Sequence, residues 1–386
     1  MKTLVHATAL AACLLWSTAA PAASPTVSRI DAPPPGAVPA PMASGGRVVL
    51  DEAGGVKRAA FQWPGAYFET AFHGDGIVFE IGPGQVIVHV EADGRLVQTL
   101  VEPAGAYRIA GLGRGEHTVR IDVATESQAG ANRFDGFLLP AGATARPLPA
   151  RAHRIEFIGD SHTVGYGNTS ASRDCSQADV WASTDTTRAF APRVAGHYDA
   201  DYRVHAISGR GVVRNYDGAS GDTLPQAYPY VLFDRSAAND DAWQPEVVVI
   251  ALGTNDFSTP LRPGEKWETR QALHADYQRT YAGFVRALRA RYPRAHFVLW
   301  ATDLADGEII AQAAEATALL HRSGETRVSF LPVRGLAMEG CHWHPSVADD
   351  RRIADLLIRH IDDLPLSPWR ESSAGDQVQS AMPSRR

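Results

Sequence analysis

Ser161 is the residue from which the chemistry of this sequence can be inferred. It follows a short apolar run at residues 154–158 and ends the tripeptide Gly-Asp-Ser. A buried strand that stops in this way delivers one serine to the edge of a sheet. A serine hydroxyl becomes a good nucleophile only beside a base, and the reaction also needs donors for an oxyanion. The sequence must therefore supply a base and donors elsewhere.

Three further polar motifs also follow apolar runs of strand length. They are Ser208-Gly-Arg-Gly211, Gly253-Thr-Asn-Asp256 and Cys341-His-Trp-His-Pro345. The carboxyl ends of parallel strands meet at one edge of a sheet, where function gathers. Each motif alone is a weak signal, but four of them on successive strand ends favour one shared site.

Residues 154–364 alternate between strand and helix. Continuous apolar runs predict strands, and apolar residues at i, i+4, i+7 and i+8 predict helices. Strands buried on both faces indicate a parallel sheet, so we predict a flavodoxin-like three-layer α/β/α domain. The predicted strands are residues 154–158, 202–207, 246–252, 296–301 and 328–333, and the predicted helices are 267–291, 308–322 and one that starts at Ser346.

Residues 46–140 have a different pattern. About eight short strands with alternating apolar and polar residues are separated by turns such as Asp75-Gly76 and Asp93-Gly94, without a helical period. This pattern predicts a small all-β sandwich, with a jelly roll as the favoured form. Trp63 and Tyr67 either fill its core or bind a glycan.

Three segments lack a periodic apolar face. Residues 24–45 and 141–153 are rich in proline and alanine, and we predict that both are linkers. Residues 365–386 are polar, and we predict a disordered tail.

The N-terminus is typical of a secretory signal peptide over residues 1–23. Lys2 precedes an apolar stretch and then the small residues Ala-Pro-Ala-Ala. This arrangement predicts a secreted or periplasmic protein. A lipoprotein signal ending at Cys13 is the alternative, but the apolar run continues past that residue.

Composition excludes some classes of partner. The formal net charge is −6 and the pI is near 6.2, which gives no electrostatic case for nucleic-acid binding. After the N-terminus, no apolar run approaches the roughly 18 residues of a membrane span. The sequence gives no indication of the oligomeric state.

Together, the four motifs resemble the sequence blocks of the SGNH, or GDSL, hydrolase superfamily. The resemblance implies that Ser161 is the nucleophile and His344 the general base. It also implies an oxyanion hole made by the backbone N–H groups of Ser161 and Gly209 and the side-chain amide of Asn255. No Gly-x-Ser-x-Gly elbow is present, which argues against an ordinary α/β-hydrolase. The implied enzyme is a serine esterase without a cofactor or metal.

The domain order narrows the resemblance. A signal peptide, a β-sandwich and an SGNH domain with a Trp-His-Pro motif look like the second family of carbohydrate esterases, and residues 159–168 and 208–215 are similar to its first two blocks. The resemblance implies removal of O-acetyl groups from a polysaccharide or oligosaccharide of the xylan or glucomannan type, through an acetyl-serine intermediate. The alternatives are an esterase for bacterial glycans or lipids, and a non-catalytic glycan-binding protein.

The third partner of the base is not where the superfamily usually has it. An Asp is expected three residues before His344, and this chain has Cys341 there. Three explanations remain open. A backbone carbonyl accepts from the histidine, or another acid (Asp303, Asp306 or Glu339) does so, or the protein is an inactive relative.

Four residues near the motifs are candidates for the substrate pocket: Trp343, His162, His342 and Asn215. Trp343 either walls the acyl pocket or packs in the protein. Two extra histidines raise the idea of a metal, but further ligands at metal spacing are missing, and we predict none.

Two cysteines remain once the signal peptide is removed. An even pair in an exported protein is a candidate disulfide. A bridge between Cys175 and Cys341 would join the loop after Ser161 to the loop that holds His344. Two free thiols are the alternative.

Overall fold

The computed structural model describes residues 24–148, 150–235 and 243–371. The predicted signal peptide and the end of the predicted tail lie outside the described residues. No described helix has the length and hydropathy that crossing a bilayer requires.

The first domain is an antiparallel β domain between residues 26 and 146. Its longest strands, β6 and β9, pair with each other along most of their length, and all described pairs in this sheet are antiparallel. The strands are β1 Thr26–Ile30, β2 Val38–Pro39, β3 Ala43–Gly45, β4 Val48–Ala53, β5 Val56–Phe61, β6 Tyr67–Ile81, β7 Ile87–Ala92, β8 Arg95–Val101, β9 Gly105–Val123, β10 Asn132–Leu139 and β11 Thr144–Arg146.

A cluster of aromatic rings fills the core of this domain. Phe68 and Phe134 stack with their ring centroids 4.4 Å apart, and Phe79 and Phe137 pack beside them. Alternate residues of the strands point into this cluster, as the alternating sequence pattern requires. Burial of these rings supplies the hydrophobic stabilisation of the domain.

Trp63 and Tyr67 are both buried where the two domains meet. The Trp63 ring packs edge-on against His205 and Phe233 of the second domain, and the Tyr67 hydroxyl donates to Asp201 at 2.7 Å. Neither side chain is available to a ligand, so the glycan-binding alternative for these two residues is wrong.

The predicted linker over residues 24–45 is wrong. Strand β1 pairs with residues 106–110 of β9, and β3 pairs with residues 67–69 of β6. These strands attach through main-chain hydrogen bonds, which need no alternating apolar side chains, so the sequence pattern did not reveal them.

The other two segments predicted to lack structure are also partly ordered. Strand β11 lies inside the predicted linker 141–153 and pairs with β6. In the predicted tail, Pro368–Glu371 form a 3₁₀ turn, and the ring of Trp369 packs against His153 and Tyr198. A single aromatic contact of this kind leaves no periodic signal in the sequence.

The second domain has the predicted alternation of strands and helices. All five predicted strands are present, within two residues of their predicted ends. The strands are β12 His153–Gly159, β13 Ala200–Ala206, β14 Val247–Ala251, β15 His296–Thr302 and β16 Val328–Val333, and the helices are α1 Ser161–Val164, α2 Gln177–Ser183, α3 Phe190–His197, α4 Leu224–Ala227, α5 Thr254–Phe257, α6 Arg270–Arg291, α7 Glu308–Arg322 and α8 Val347–Asp362.

The sheet of this domain is parallel, with the order β13-β12-β14-β15-β16. This is the flavodoxin-like order, and helices cover both faces. On β12, Phe157 packs with α3 and α8, while its neighbour Ile158 packs with α6 and α7. The predicted fold, an antiparallel β domain followed by a parallel α/β domain, is confirmed.

Arg47, directly before β4, joins the two domains. Its side chain is only 2% exposed and lies inside the second domain. The guanidinium donates to the backbone carbonyls of Tyr228 and Tyr230 and lies 3.3 Å from His205 Nδ1. A buried cation held by several acceptors fixes one orientation of the two domains, because withdrawing any partner leaves the charge uncompensated.

Candidate active site

Ser161 and His344 meet at the carboxyl edge of the parallel sheet. Ser161 is the first residue of α1 and is separated from β12 only by Asp160, and His344 lies in the loop between β16 and α8. Ser161 Oγ is 2.9 Å from His344 Nε2. At this hydrogen-bond distance, His344 can act as a general base that removes the hydroxyl proton.

Backbone carbonyls orient the imidazole of His344. Its Nδ1 lies 2.9 Å from the Cys341 carbonyl oxygen and 3.2 Å from that of His342. Carbonyls only accept, so Nδ1 carries the proton, and Nε2 is left to accept from Ser161. Among the described residues no carboxylate bonds to this ring, including Asp303, Asp306 and Glu339. The geometry is that of the first explanation left open by the sequence, a Ser-His pair with a carbonyl as third partner.

The pKa of His344 predicts that activity is lost only at an unusually low pH. Burial lowers the pKa of His344 to about 4, although hydrogen bonds to the two carbonyls oppose the shift. A base works only when neutral, so we expect kcat/KM to be level near pH 6 and to fall as the pH drops through about 4. Initial rates with 4-nitrophenyl acetate from pH 3.5 to 7 measure this limb. A limb near the ordinary histidine value of about 6.5 would contradict it.

The backbone before the base is held in a strained conformation. His342 and Trp343 both have positive φ, 51° and 58°, which costs roughly 1–3 kcal/mol at each non-glycine residue. Three hydrogen bonds of His342 offset part of this cost. Its backbone N–H donates to Arg173 O at 2.8 Å, its Nε2 donates to Cys175 O at 2.9 Å, and its Nδ1 accepts from the Tyr166 hydroxyl at 3.1 Å. His342 therefore braces the loop.

A disulfide joins Cys175 to Cys341, the pair suggested by the sequence. Cys341 also lies against Gly167, whose φ is +56° and where a Cβ would come within 2.4 Å of the Cβ of Cys341. Only glycine suits this position, because both its conformation and its close approach exclude a side chain. The loop after Ser161 and the loop of His344 are thus joined covalently and by tight packing.

Loss of the disulfide should lower stability. The bridge spans 166 residues, so Cys175→Ser should reduce the free energy of unfolding by about 2–5 kcal/mol, mainly by freeing the unfolded chain. Urea unfolding of the wild type and the variant, each with and without reductant, measures this. Reductant should destabilise the wild type and leave Cys175→Ser unchanged; equal midpoints for the two oxidised proteins would contradict the prediction.

Two backbone donors are free beside the nucleophile. Among the described residues, the N–H groups of Ser161 and Gly209 have no hydrogen-bond partner, whereas His162 N–H is bonded to the Asp160 carboxylate at 3.1 Å. Gly209 has a φ of +83°, a left-handed conformation that glycine adopts without strain. Free N–H groups at these two positions suit the stabilisation of an oxyanion.

The amide of Asn255 is engaged within the protein. Its Nδ2 donates to Arg210 O at 2.9 Å and to Asp160 Oδ2 at 3.2 Å. An amide nitrogen has two protons, so a bond to an oxyanion requires sharing or exchanging one of these contacts. Burial raises the pKa of Asp160 to about 7. Near neutral pH this carboxyl group is therefore partly protonated and a weaker acceptor for the amide.

Asp256 is an important residue that the sequence did not single out. Its carboxylate is fully buried and accepts the backbone N–H groups of Val212, Val213 and Arg214 at 2.8–2.9 Å. It thereby fixes the loop that follows Gly209. An aspartate that follows an asparagine in a turn resembles many ordinary turn residues, so no local signal distinguished it.

The four predicted pocket residues have different environments. Trp343 is 59% exposed beside the base. His162 is buried, and burial lowers its pKa to about 3, so it is neutral; its ring packs edge-on against that of His344, with the centroids 5.4 Å apart. His342 braces its loop. The Asn215 side chain is buried and bonds to backbone atoms of residues 211–222. The pocket position predicted for Asn215 is therefore wrong, because its amide is used within its own loop.

Tyr166 is a further site residue that the sequence did not identify. Its ring packs on that of His344, with the centroids 4.3 Å apart. It also lines a cavity of about 260 Å³ between the site and the first domain. No group of three or more potential metal ligands occurs within the described part of the chain.

Comparison with known families matches both domains. Residues 44–149 match the carbohydrate esterase 2 N-terminal family, and residues 157–360 match the GDSL-like lipase/acylhydrolase family. The chain is 42% identical over 327 residues to an acetylxylan esterase / glucomannan deacetylase of Cellvibrio japonicus, covering 84% of this chain and 91% of that protein. The chain belongs to carbohydrate esterase family 2. It is therefore a carboxylic ester hydrolase.

Solved structures of other carbohydrate esterases are similar to this chain. One is a carbohydrate esterase whose active site displays divergent catalytic and non-catalytic binding functions, with a TM-score of 0.81, 39% identity, and coverage of 86% of this chain and 100% of that one. Another is a family two carbohydrate esterase from Clostridium thermocellum in complex with cellohexaose, with a TM-score of 0.75, 26% identity, and coverage of 84% and 98%.

Proposed function

We propose that this esterase is secreted and removes O-acetyl groups from polysaccharides or oligosaccharides of the xylan or glucomannan type. The observation that carries the proposal is the 2.9 Å contact between Ser161 Oγ and a neutral His344, beside two free N–H donors. The substrate class follows from the similarity to the acetylxylan esterase / glucomannan deacetylase.

The geometry supports an acetyl-serine mechanism. Ser161 Oγ attacks the acetyl carbonyl carbon while His344 Nε2 takes the hydroxyl proton, and the carbonyl oxygen becomes an oxyanion. The N–H groups of Ser161 and Gly209, and one proton of the Asn255 amide, stabilise that charge. His344 then returns its proton to the sugar oxygen, which leaves as an alcohol. The acetyl group stays on Ser161.

Water completes the cycle by the same steps. His344 accepts a proton from water as the water oxygen attacks the acetyl-serine carbonyl. The intermediate then collapses, and His344 returns the proton to the leaving Ser161 Oγ, which gives free Ser161 and acetic acid, which ionises to acetate. Backbone carbonyls carry no full charge, so the imidazolium formed in each step is stabilised by dipoles rather than by a carboxylate. The strained loop that aims these carbonyls is thus part of the machinery.

Exposed Trp343 is suited to contact the sugar. Trp343 directly precedes His344 in the chain and has more than half of its surface free, so a pyranose ring can cover it. The same exposed ring and the missing carboxylate also favour a second candidate, glycan binding without turnover. A related esterase displays both catalytic and non-catalytic binding functions.

Acetate release decides between these candidates. Purified wild type and Ser161→Ala are incubated with acetylated xylan, acetylated glucomannan and acetylated chito-oligosaccharides, and acetate is quantified. We expect release by the wild type alone, with xylan or glucomannan preferred. Retention on the same glycans in affinity electrophoresis without acetate release would select the binding function.

Secretion is tested separately. The Cys175–Cys341 disulfide is consistent with an oxidising compartment. We expect the exported protein to start near residue 23 or 24 when its mass is measured after expression with the full N-terminus. A full-length mass with the protein retained in the cytoplasm would contradict secretion.

A further inference from the structure

The residue before the oxyanion glycine is bonded by side chains of the first domain. Ser208 lies between β13 and Gly209. Glu126 Oε2 accepts the Ser208 N–H at 3.0 Å, and Gln128 Nε2 donates to the Ser208 carbonyl at 3.3 Å. Both backbone polar groups of one residue are thus satisfied across the domain boundary, as a neighbouring strand would do.

The segment that carries these two side chains is itself anchored. The Ala124 carbonyl accepts from Thr186 N–H at 2.7 Å, Thr125 Oγ1 accepts from Ile87 N–H at 3.0 Å, and the Ser127 hydroxyl donates to Gly130 O at 3.0 Å. Thr125 and Ser127 are buried. The loop is therefore a fixed support rather than a loose surface turn.

Gly209 is also held from within its own domain. Its carbonyl accepts from Tyr216 N–H at 2.9 Å, but its own N–H is free. The direction of that N–H depends on the peptide plane between Ser208 and Gly209, which includes the Ser208 carbonyl held by Gln128. Catalytic donors must lie within tenths of an ångström of the oxyanion position, and a misplacement of about 1 Å can cost about 10²-fold in rate.

We propose that Glu126 and Gln128 of the first domain are positioning residues that set the direction of the Gly209 N–H in the oxyanion hole. The inference rests on the proposed esterase function. It assigns the first domain a part in the chemical step, since the two side chains act on the donor loop rather than on the sugar.

The kinetics of a small ester test the proposal. 4-Nitrophenyl acetate has no sugar, so its turnover reports the donor loop alone. We expect Glu126→Ala to lower its kcat by about 10- to 100-fold with little change in KM. Glu126→Gln should keep most of the activity, because its amide oxygen still accepts from Ser208 N–H. Gln128→Ala, at an exposed position, should lower kcat several-fold without loss of folding.

A matched control and a second readout separate positioning from other effects. Gln85→Ala changes the same cavity without touching Ser208 and should behave as the wild type. Phosphorylation of Ser161 by diethyl 4-nitrophenyl phosphate also places an oxygen in the hole. Its rate constant should fall in parallel with kcat in Glu126→Ala and Gln128→Ala.

Two results would overturn the inference. One is wild-type kcat for 4-nitrophenyl acetate in both Glu126→Ala and Gln128→Ala. The other is a rise in KM for acetylated oligosaccharides with aryl acetate kinetics unchanged, which would assign these residues to sugar binding. If Glu126→Ala does not fold, the kcat of Gln128→Ala for 4-nitrophenyl acetate tests the proposal instead. An inactive wild type would instead refute the proposed function itself.

Discussion

Ser161→Ala is expected to lower kcat/KM for 4-nitrophenyl acetate by about 10⁴- to 10⁶-fold while the protein stays folded. The reason is that, in the proposed mechanism, Ser161 Oγ, 2.9 Å from the neutral Nε2 of His344, provides the oxygen that becomes acetylated. Removing one hydroxyl from a residue that is already at the start of a short helix leaves its backbone contacts in place. Initial rates and the urea midpoint measure both expectations.

The base provides the matched test. His344→Ala should cost about as much as Ser161→Ala, and the double variant should be no worse than either one, because the two residues act as a unit. A burst of 4-nitrophenol equal to one per active site should appear in the wild type and be absent from all three variants. Additive losses in the double variant would show that the two side chains act separately.

The second large effect is expected at Asn255. Asn255→Ala should reduce kcat by about 10²- to 10³-fold, equivalent to about 2.7–4 kcal/mol of barrier, because the proposed oxyanion hole loses one donor. KM should change little, since the charge that the amide stabilises develops only in the transition state. Steady-state rates with 4-nitrophenyl acetate and with acetylated oligosaccharide measure both parameters.

Asn255→Asp is the matched control for this effect. It keeps the shape of the side chain but replaces a donor with an acceptor, and it adds a third buried carboxylate beside Asp160 and Asp256. Activity should therefore be no higher than in Asn255→Ala. Retention of wild-type kcat in Asn255→Asp would show that donation from this side chain contributes nothing to the oxyanion.

The main architecture could be predicted from the sequence because it depends on local periodicity. The five parallel strands are short segments rich in apolar residues, and β12 is buried on both faces, as Phe157 and Ile158 show. Strands β1 and β3 could not be predicted in the same way. They pair by main-chain hydrogen bonds with residues more than 20 positions away, and nothing in their side chains records that pairing.

The residues of the candidate site also fall into those that the sequence could reveal and those that it could not. Ser161, Gly209, Asn255 and His344 follow strand ends, and sequence order alone places them at one edge. The supporting contacts are long-range: Tyr166 on His344, Asp256 on the loop after Gly209, and Glu126 on Ser208. Asn215 was misassigned for a related reason. An amide near a catalytic loop has the same sequence appearance whether it faces a ligand or closes its own turn.

Arg47 has a consequence for how such enzymes can be rearranged. A catalytic half cut away from the β domain would lose the guanidinium that fills its interior and expose the surface that Trp63 covers. The catalytic domain should therefore not be transferred alone. In a fusion with a different glycan-binding module it must be transferred together with its own N-terminal β domain. New substrate preferences are more easily reached by exchanging loops around Trp343 than by shuffling whole domains.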